Sequence, residues 1–571
     1  MTAPPGPPAV SSGHKYPGGP GAEPPAGRIA AGDPKPLLRI DDLTVEIFGK
    51  RLLDAVSLNL QPGEILALTG ESGSGKSMTA LATMGLLPQG AHATGRIALN
   101  GTDLLSLSER QLCEIRGQDI GMVFQEPMTA LNPVQTIGRQ VMETLRQHRR
   151  LPRTEATALA RAALHRCGYD LPLTRYPHEL SGGQRQRVGI AMAIALRPRL
   201  LIADEPTTAL DVTTQARILD LLRDLARTEG MALMMITHDL AVVAGMADCI
   251  AVMQSGKVVE SAPTAELLRT RHHPYTRALF DASRHRPHLP PRRDTGALLE
   301  ARGVTCTYRL PRPHPFAAAP RFTAVEDVSL SIARGERVGL VGESGCGKST
   351  LTRAILGLSP LAAGTITVGD APVWTATHPN PQVRRRIQVV FQDPYGSFNP
   401  RHRVARLITE PFHLLADPPQ GPAREAAIAE ALTAVGLKPE DAQRHIHAFS
   451  GGQRQRLAIA RALIIRPDLI VFDEAVSALD VRVRAQILDL IADLSAAYGL
   501  AYLFISHDLS VVRGVTDRVL VMRRGRIVEQ GPTETLFTAP QDPYTRALLE
   551  AVPRLPDLGP PGQATPDPAN P

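Results

Sequence analysis

Two glycine-rich segments of this 571-residue chain have the residue types and spacing of a loop that binds phosphate. The first segment consists of Gly70, Glu71, Ser72, Gly73, Ser74, Gly75, Lys76 and Ser77. The second consists of Gly342, Glu343, Ser344, Gly345, Cys346, Gly347, Lys348 and Ser349. In a G-x-x-x-x-G-K-S loop the backbone N–H groups hold phosphates, the lysine reaches the terminal phosphates and the serine hydroxyl ligates Mg²⁺. The chain is therefore expected to bind two nucleotides.

The two segments belong to a duplicated unit. A single match arises by chance in roughly a few per cent of chains this long, but here the same later residues follow both copies in the same order. Lys76 and Lys348 are 272 residues apart, and three later pairs are each 269 apart: Ser181 with Ser450, Asp204 with Asp473, and His238 with His507. Because this offset drifts so little, we interpret the chain as two copies of one domain.

A pair of acidic residues ends an apolar run in each copy. The runs RLLIADE and DLIVFDE are typical of central parallel strands that are buried on both faces. Asp204 and Asp473 are candidates to hold Mg²⁺ through its water shell, because this ion usually takes one or two carboxylates together with phosphate oxygens. Glu205 and Glu474 follow them and are candidates to polarise the attacking water.

Histidine and glutamine side chains follow other apolar runs at matching positions. His238 and His507 each precede Asp-Leu and are predicted to contact the γ-phosphate. Gln125 and Gln392 end apolar runs in the segments MVFQEP and VVFQDP. A glutamine there could ligate Mg²⁺, position water or sense whether the γ-phosphate is present.

A second anion-binding segment is predicted in each copy, at the start of a helix. The first comprises Ser181, Gly182, Gly183 and Gln184, and the second comprises Ser450, Gly451, Gly452 and Gln453. A serine at the N-cap and two glycines leave backbone N–H groups available at the helix N-terminus. Since each copy already has a phosphate loop, we expect each of these helices to cap the nucleotide that the other copy binds.

The elements around the loops are of the kind that positions phosphate. Apolar strands are predicted over Ile65–Thr69 and Val338–Val341, directly before the loops, and helical segments over 77–87 and 349–358, directly after them. Phosphate would then lie at a helix N-terminus. Together with the short β-rich runs that open each copy, these patterns indicate an α/β fold.

The length and composition suit two globular domains. The chain is 43% hydrophobic and 21% charged, and it contains no run that approaches the ~18 consecutive apolar residues of a membrane span. The predicted segments are a disordered Pro/Gly-rich leader over 1–36, domains over 37–280 and 298–550, a linker over 281–297 and a disordered Pro-rich tail over 551–571.

The net charge and the cysteine spacing bear on which partners and metal sites the chain could have. A net charge of +7 and a pI of 9.3 would permit contact with nucleic acid or anionic lipid, although arginine-rich chains reach such values without either. The five cysteines are scattered and form no C-x-x-C pair. This argues against a disulfide framework, a zinc site or an iron–sulfur cluster, and it suits a reducing cytosol.

Over nearly all of 37–550 the chain resembles the ATP-binding cassette (ABC) family. The resemblance covers the two phosphate loops, the two glutamines, the S-G-G-Q signatures, the Asp-Glu pairs, the A-L-D segments 209–211 and 478–480, and the two histidines. It implies an ATPase built from two tandem P-loop NTPase domains, each with a parallel-sheet core, an antiparallel β subdomain and a helical signature subdomain. It also implies a head-to-tail pair in which each ATP lies between the phosphate loop of one copy and the signature of the other, so that no homodimer is required.

The resemblance also predicts an aromatic residue that stacks on adenine. Tyr308 fits this role in the second copy, whereas strict register gives Ile47 in the first copy, with Phe48 one residue further on. One departure between the copies is Ala475, where the first copy has Pro206. It changes backbone stiffness after the acidic pair but removes no ligand.

Segments outside the nucleotide sites resemble one branch of the family, the dipeptide and oligopeptide importers, to which nickel importers also belong. These segments are EPMTALNP, DPYGSFNP and the tails HPYTRALF and DPYTRALL. The resemblance implies an ATPase at the cytoplasmic face of the inner membrane. It would work with two transmembrane permease subunits and an extracytoplasmic solute-binding protein, without nucleic acid.

Peptides are the expected substrate, with nickel, glutathione or another small solute as alternatives. A remote alternative is a soluble tandem-cassette translation or DNA-repair factor. Such factors resemble D-E-P-T-N-H-L-D after the apolar run, whereas this chain has DEPTTALDV and DEAVSALDV.

Overall fold

The computed structural model describes residues 35–556 except 126–129, 209, 292–295, 311, 313, 315, 317, 376–377, 394–395 and 478. The predicted leader, apart from its last two residues, and most of the predicted tail lie outside the described residues. So do Ala209 and Ala478 of the two A-L-D segments, and parts of EPMTALNP and DPYGSFNP. All contacts given below lie within one unit that begins at Pro36.

Each half of the described chain repeats the same plan of strands. The first half contains β1 (Leu38–Ile47), β2 (Lys50–Leu60), β3 (Ile65–Thr69), β4 (Ala91–Leu99), β5 (Thr102–Asp103), β6 (Ile120–Val123), β7 (Leu200–Asp204), β8 (Ala232–Ile236), β9 (Cys249–Gln254) and β10 (Lys257–Pro263). The second half contains β11 (Ala297–Arg309), β12 (Arg321–Ala333), β13 (Arg337–Val341), β14 (Ala363–Val368), β15 (Ala371–Pro372), β16 (Ile387–Val390), β17 (Leu469–Asp473), β18 (Ala501–Ile505), β19 (Arg518–Arg523) and β20 (Arg526–Pro532).

The larger sheet of each half carries the phosphate loop. Its strand order is β10-β9-β3-β8-β7-β6 in the first half and β20-β19-β13-β18-β17-β16 in the second. Neighbouring strands are parallel except for the outermost pairs, β9–β10 and β19–β20. Every residue of β3 and β13 is buried, as expected for apolar strands covered on both faces. The carboxyl ends of the parallel strands therefore meet at one edge of the sheet.

A smaller antiparallel sheet packs against each larger one. Its order is β2-β1-β4-β5 in the first half and β12-β11-β14-β15 in the second. Since side chains alternate along a strand, β3 faces two different cores. Leu66 and Leu68 pack with the buried residues of β1 and β2, whereas Ile65 and Ala67 pack with the helices. The sheet that begins each half thus covers one face of the strand that leads into the phosphate loop.

Helices cover the remaining faces. The first half contains α1 (Lys76–Thr83), α2 (Glu109–Ile115), α3 (Ile137–His148), α4 (Arg153–Arg166), α5 (Gly182–Ala193), α6 (Val212–Glu229), α7 (Leu240–Met246), α8 (Thr264–Thr270) and α9 (Pro274–Arg284). The second half contains α10 (Lys348–Ile355), α11 (Pro381–Arg386), α12 (Val404–Ile408), α13 (Gly421–Ala434), α14 (Gly451–Leu463), α15 (Val481–Tyr498), α16 (Leu509–Val515), α17 (Thr533–Thr538) and α18 (Pro543–Glu550). Short 3₁₀ turns span Leu104–Ser106, Pro177–Glu179, Glu410–Leu414, Pro439–Gln443 and Ile446–Ala448.

The helices fall into the groups that the fold class predicts. In the first half α3, α4 and α5 pack against one another and form a helical subdomain, while α1 follows the phosphate loop. The predicted α/β class, with a parallel core, an antiparallel sheet and a helical subdomain in each half, is confirmed. None of the described helices is both long enough and apolar enough to cross a membrane.

The segment between the last helix of the first half and the first strand of the second half lies within the predicted linker. Helix α9 continues to Arg284, past the predicted domain end at residue 280, and β11 begins at Ala297. The helix continues because Leu279 and Phe280 are buried near its end, which anchors this turn to the core of the first half.

The first glycine of each phosphate loop passes unusually close to the neighbouring strand. Gly70 has a φ of 147° and Gly342 a φ of 151°, values that residues with a side chain rarely adopt. A Cβ atom on Gly70 would lie 2.2 Å from the carbonyl oxygen of Met253 in β9. A Cβ atom on Gly342 would meet the carbonyl oxygen of Met522 in β19 at the same distance. Only glycine fits where the loop leaves the sheet.

We expect Gly70→Ala to weaken ATP binding by about tenfold, because the loop must shift to relieve the clash with the Met253 carbonyl. Equilibrium binding of a fluorescent ATP analogue measures the effect. Gly245→Ala is the matched control, since Gly245 lies in α7 and an added Cβ there would meet no atom within 4 Å. Equal affinities in the two variants would show that the close approach at Gly70 is not required.

Candidate functional site

Each phosphate loop connects the carboxyl end of a buried strand to the N-terminus of a helix. The first runs from β3 into α1 and the second from β13 into α10. Gly75 and Gly347, at the N-caps, have φ values of 106° and 113°, which is possible because glycine has no Cβ atom. The helix N-termini leave backbone N–H groups and a positive partial charge at the loops, which is the arrangement that binds phosphate.

The loop lysines lie over the backbone of their own loops. The Lys76 ammonium donates to the carbonyl oxygens of Gly70 and Glu71, both at 2.8 Å. Lys348 makes the same contacts at 2.7 and 2.9 Å. Burial lowers the pKa of Lys76, and the carboxylates of Glu205 and Asp204 oppose this effect. A buried ammonium beside carboxylates is placed to neutralise phosphate charge.

The two loops differ at their fifth residue. Lys76 lies 3.5 Å from the Ser74 hydroxyl, whereas Lys348 lies 3.9 Å from the Cys346 sulfur. Burial raises the pKa of the Cys346 thiol, so the thiol is neutral and replaces the hydroxyl without adding charge.

The acidic pairs lie at the carboxyl ends of buried parallel strands, as the sequence indicated, and one strand separates each of them from the loop strand. Asp204 is the last residue of β7 and Asp473 the last of β17. Asp204 is only 5% exposed, and burial raises the pKa of both aspartates. Among the described residues, the Asp204 Oδ1 atom is buried without a hydrogen-bond partner. An orphaned carboxylate oxygen at a phosphate loop fits a hydrated Mg²⁺ ion.

The glutamates that follow have an unusual backbone conformation. Glu205 has a φ of 46° and Glu474 a φ of 51°, the left-handed region that non-glycine residues rarely occupy. Their N–H groups donate to the carbonyl oxygens of Ile236 and Ile505, each at 2.9 Å. This hydrogen bond ties the strained residue to the end of the neighbouring strand. Strain held in this way is typical of functional positions.

The Glu205 carboxylate contacts three polar side chains. The Nδ1 atom of His238 lies 3.2 Å from one oxygen. Gln125 Nε2 and Thr208 Oγ1 donate to the other oxygen at 3.0 and 2.9 Å. Burial alone would raise the pKa of Glu205, but the hydrogen bond and charge of His238, the Thr208 hydroxyl and the Lys76 charge together lower it to about 2. The glutamate is therefore ionised, and the structure brings Gln125 to its carboxylate.

The second half lacks part of this arrangement. His507 Nδ1 lies 3.6 Å from the Glu474 carboxylate. Ser477, which replaces Thr208, donates to the Glu474 backbone carbonyl oxygen at 2.9 Å. Gln392 is exposed. The pKa of Glu474 is lowered, because the contact with His507 and the Lys348 charge outweigh burial. Burial lowers the pKa of His507, but Glu474 and Asp508 raise it above the usual value.

The S-G-G-Q segments form helix caps. Ser181 is the N-cap of α5, where its hydroxyl accepts from the Gln184 N–H and the Gln184 side chain accepts from the Ser181 N–H, at 3.3 and 2.9 Å. Ser450 and Gln453 repeat this capping box in α14. Gly183 and Gly452 lie against Thr214 and Val483, which a Cβ atom would meet at 2.3 and 2.4 Å. The glycines thus allow the start of each signature helix to pack closely against the helix that contains Thr214 or Val483.

Three contacts join the phosphate loop of one half to the start of α6 or α15 in the other half. The Ser344 N–H donates to Asp211 Oδ2 at 3.4 Å. Thr213 donates to the Glu343 carboxylate at 3.0 Å. Arg482 forms an ion pair with Glu71 at 2.9 Å. The phosphate loop of each half therefore faces the segment that follows the Asp-Glu pair of the other.

Comparison with known proteins identifies the family. The ABC transporter family matches residues 53–208 and 325–477, and the oligopeptide/dipeptide transporter C-terminal region matches 259–312 and 528–570. This chain belongs to the ABC transporter family. It is therefore an ATPase and binds ATP.

Several relatives of this ABC ATPase match over most of its length. The peptidoglycan transport ATP-binding protein YejF of Agrobacterium fabrum is 44% identical over 90% of this chain and 96% of its own length. The glutathione import ATP-binding protein GsiA of Salmonella choleraesuis is 46% identical over 87% of this chain and 86% of its own. A solved dimeric bacterial ABC transporter cassette is 30% identical, with a TM-score of 0.36, over 40% of this chain and 98% of its own.

The aromatic residues proposed to stack on adenine have different settings in the two halves of the ABC ATPase. Tyr308 is 39% exposed, lies opposite Phe322 in β12 and has its hydroxyl 3.2 Å from Thr350 Oγ1. In the first half Ile47 lies opposite Lys50 at the end of β1. Phe48 follows at the turn and is 89% exposed. Both halves thus place an exposed ring near the hairpin, but not at the same strand position.

Several contacting residues were not found by sequence reasoning. Thr208, Thr213 and Arg482 touch functional residues but belong to no motif that pairs them across the chain. The S-x-x-Q pattern of a capping box would have revealed the role of Gln184. The tyrosines Tyr275 and Tyr544 lie in tails that were noted only as a family feature, yet their hydroxyls contact the phosphate loops.

We expect the combined substitution Glu205→Gln and Glu474→Gln to slow ATP turnover by roughly a hundredfold or more while ATP still binds. Glutamine keeps the size of glutamate but cannot polarise water as a carboxylate does. Steady-state phosphate release and equilibrium binding of a fluorescent ATP analogue measure the two effects.

Glu440→Gln provides a matched control, because Glu440 is exposed in a 3₁₀ turn outside the site. Full ATPase activity in the double variant would remove both Glu205 and Glu474 from the role of base.

Proposed function

We propose that this chain is the ATP-hydrolysing subunit of a binding-protein-dependent peptide importer, with two composite ATP sites formed between its halves. The observation that carries the composite sites is the set of contacts from Asp211 and Thr213 to the second phosphate loop, and from Arg482 to the first. They support a head-to-tail pair within one chain, so that no homodimer is required. We assign residues 37–280 and 298–550 to the two cassettes.

Each composite site draws its residues from both halves. In one site Lys76, Glu205 and His238 act with the signature that begins at Ser450. In the other, Lys348, Glu474 and His507 act with the signature that begins at Ser181.

Within each site the groups have distinct tasks. The loop N–H groups and the lysine bind the phosphates, and the glutamate orients and polarises water. The histidine contacts the γ-phosphate. The signature helix N-terminus completes the anion site.

The residues near each loop also fit a Mg²⁺ ion. Ser77, Asp204 and Gln125 would hold it in one site, and Ser349, Asp473 and Gln392 in the other. When bound, Mg²⁺ neutralises charge on the phosphate oxygens. The orphaned Asp204 oxygen is the structural support for this assignment.

We expect the two sites to be coupled, because each phosphate loop is held by the opposite half. Glu205→Gln alone, or Glu474→Gln alone, should then reduce ATP turnover well below the half that independent sites would retain. Steady-state phosphate release from each single variant, compared with the double variant, measures this. Retention of about half the activity in both single variants would contradict the coupling.

The substrate proposal rests on the C-terminal regions and on the relatives. Both cassettes carry a match to the oligopeptide/dipeptide transporter C-terminal region, and the relatives named above are ATP-binding proteins for peptidoglycan transport and glutathione import. We therefore propose di- and oligopeptides as the solutes. Glutathione, itself a tripeptide, is the second candidate because a relative imports it.

The transporter also needs partners. We propose that the chain binds two transmembrane permease subunits at the cytoplasmic face of the inner membrane, as a peripheral subunit, and that an extracytoplasmic binding protein delivers the solute. The import function in the name of the relative GsiA supports this proposal.

Uptake by the reconstituted transporter tests the substrate. Vesicles that contain the permease, the binding protein and this subunit should accumulate labelled di- or oligopeptides when ATP is present on the side of the subunit. The double variant of Glu205 and Glu474 is the control and should not support uptake. Uptake of glutathione alone would select the second candidate, and uptake of Ni²⁺ without any peptide would overturn the peptide assignment.

A further inference from the structure

A tyrosine from the C-terminal part of each cassette contacts the phosphate loop of the same cassette. The Tyr275 hydroxyl accepts from the backbone N–H of Glu71 at 3.0 Å. The Tyr544 hydroxyl accepts from the backbone N–H of Glu343, also at 3.0 Å. Both tyrosines are 6% exposed, and Glu71 and Glu343 are the second residues of their loops. The same contact therefore occurs twice, over 204 and 201 residues of chain.

Each tyrosine is carried to the loop by a helix with a fixed start. In the first half, His273 caps α9 and accepts from the Tyr275 N–H through its Nδ1 atom at 3.2 Å. Pro274 occupies the first helical position, where it has no N–H group to leave unsatisfied. The N–H groups of His272 and His273 donate to the Glu260 carboxylate of β10, at 2.8 and 3.1 Å. The helix start is thus fastened to the edge strand of the larger sheet.

The second half reaches the same geometry with different residues. Asp542 caps α18 and accepts from the Tyr544 N–H at 2.8 Å. The N–H groups of Gln541 and Asp542 donate to the Glu529 carboxylate of β20, at 2.8 and 3.1 Å. The Arg523 guanidinium lies over the Tyr544 ring, 4.7 Å from the ring centroid. The two helices have different N-cap residues, yet both place the tyrosine hydroxyl against the same backbone N–H of the phosphate loop. The position of the hydroxyl is therefore the feature that the two halves share.

The chemistry of the contact suits a positioning role. Burial raises the pKa of both tyrosines, so each hydroxyl is neutral and places no charge beside the phosphates. A neutral hydroxyl can accept from a peptide N–H, which would otherwise lack a partner in a partly buried loop. The peptide that is fixed in this way directly follows Gly70 or Gly342, where the loop passes closest to the neighbouring strand.

The same loop residue is also held from the other cassette. The Glu71 side chain pairs with Arg482, and the Glu343 side chain accepts from Thr213. Its backbone is held by the tyrosine of its own cassette and its side chain by the opposite cassette. The second residue of each loop therefore contacts both the C-terminal region of its own cassette and the opposite half.

We propose that Tyr275 and Tyr544 are positioning residues for ATP, each of which fixes the entry of a phosphate loop so that the following N–H groups and the lysine meet the nucleotide. The inference rests on the proposed nucleotide sites. It gives the C-terminal region of each cassette a task in ATP binding, in addition to any part in transport.

The substitutions Tyr275→Phe and Tyr544→Phe test the proposal, because phenylalanine keeps the buried ring and removes only the hydroxyl. In the double variant we expect the KM for ATP and the Kd of a fluorescent ATP analogue to rise about fivefold, the scale of one hydrogen bond per site. The kcat at saturating ATP should stay close to that of the wild type, since each hydroxyl contacts the backbone of the phosphate loop and not the glutamate that is proposed to polarise water.

Two control variants separate positioning from a general effect on the fold. Tyr169→Phe removes a buried hydroxyl that has no hydrogen-bond partner among the described residues. Tyr502→Phe removes a buried hydroxyl that donates to the Val515 carbonyl oxygen, within the core of the second half. We expect the first to leave KM unchanged without lowering Tm, because it removes an unsatisfied buried hydroxyl, and the second to lower Tm without changing KM.

A rise in KM and Kd that the controls do not share supports the proposal. Unchanged KM and Kd in the folded double variant would overturn it, whatever the change in Tm. If the double variant does not fold, each single variant gives the same measurement for one site. Absence of ATPase activity in the wild type would instead contradict the proposed function, and nucleotide binding would still decide the role of the tyrosines.

Discussion

The nucleotide sites depend on the close approach between the first glycine of each phosphate loop and the neighbouring buried strand. At Gly70 the chain leaves β3 so near the Met253 carbonyl that no side chain fits. This approach is possible because β3 and its neighbours are parallel, apolar and covered on both faces. The same packing brings the carboxyl ends of β6, β7 and β8 to the loop. Gln125, Glu205 and His238 follow these strands and converge for that reason.

The two halves share this frame but differ in the contacts of the glutamate that is proposed to polarise water. Glu205 is held by three donors, whereas the Glu474 carboxylate is close to His507 and lacks the Thr208 contact, because Ser477 donates to the backbone. A carboxylate with a pKa of about 2 is a weak base. In its proposed role, Glu205 would exchange some of these donors for the attacking water. The same Asp-Glu motif therefore has different side-chain contacts in the two halves.

Residues within one motif could be predicted from the sequence, because a motif fixes both chemistry and position along the chain. The strand before each loop, the helix after it and the placement of Asp204 and Asp473 at strand ends all follow from apolar runs and glycine spacing. The left-handed backbone of Glu205 could not be predicted, since it depends on a hydrogen bond to Ile236 in another strand. The contact of Tyr275 with Glu71 spans 204 residues. A local sequence pattern cannot predict a contact between residues so far apart in the chain.

The second residue of each phosphate loop combines a local motif with contacts from distant parts of the duplicated chain. Its N–H group is satisfied by a tyrosine from the last helix of its own half, and its carboxylate by a residue of the opposite half. The phosphate loop is therefore complete only when the tail of one half and the α6 or α15 segment of the other are both in place. A short motif supplies the groups that bind phosphate, but residues far apart in the chain give the loop its shape. The conformation of each phosphate loop thus rests on contacts from both halves.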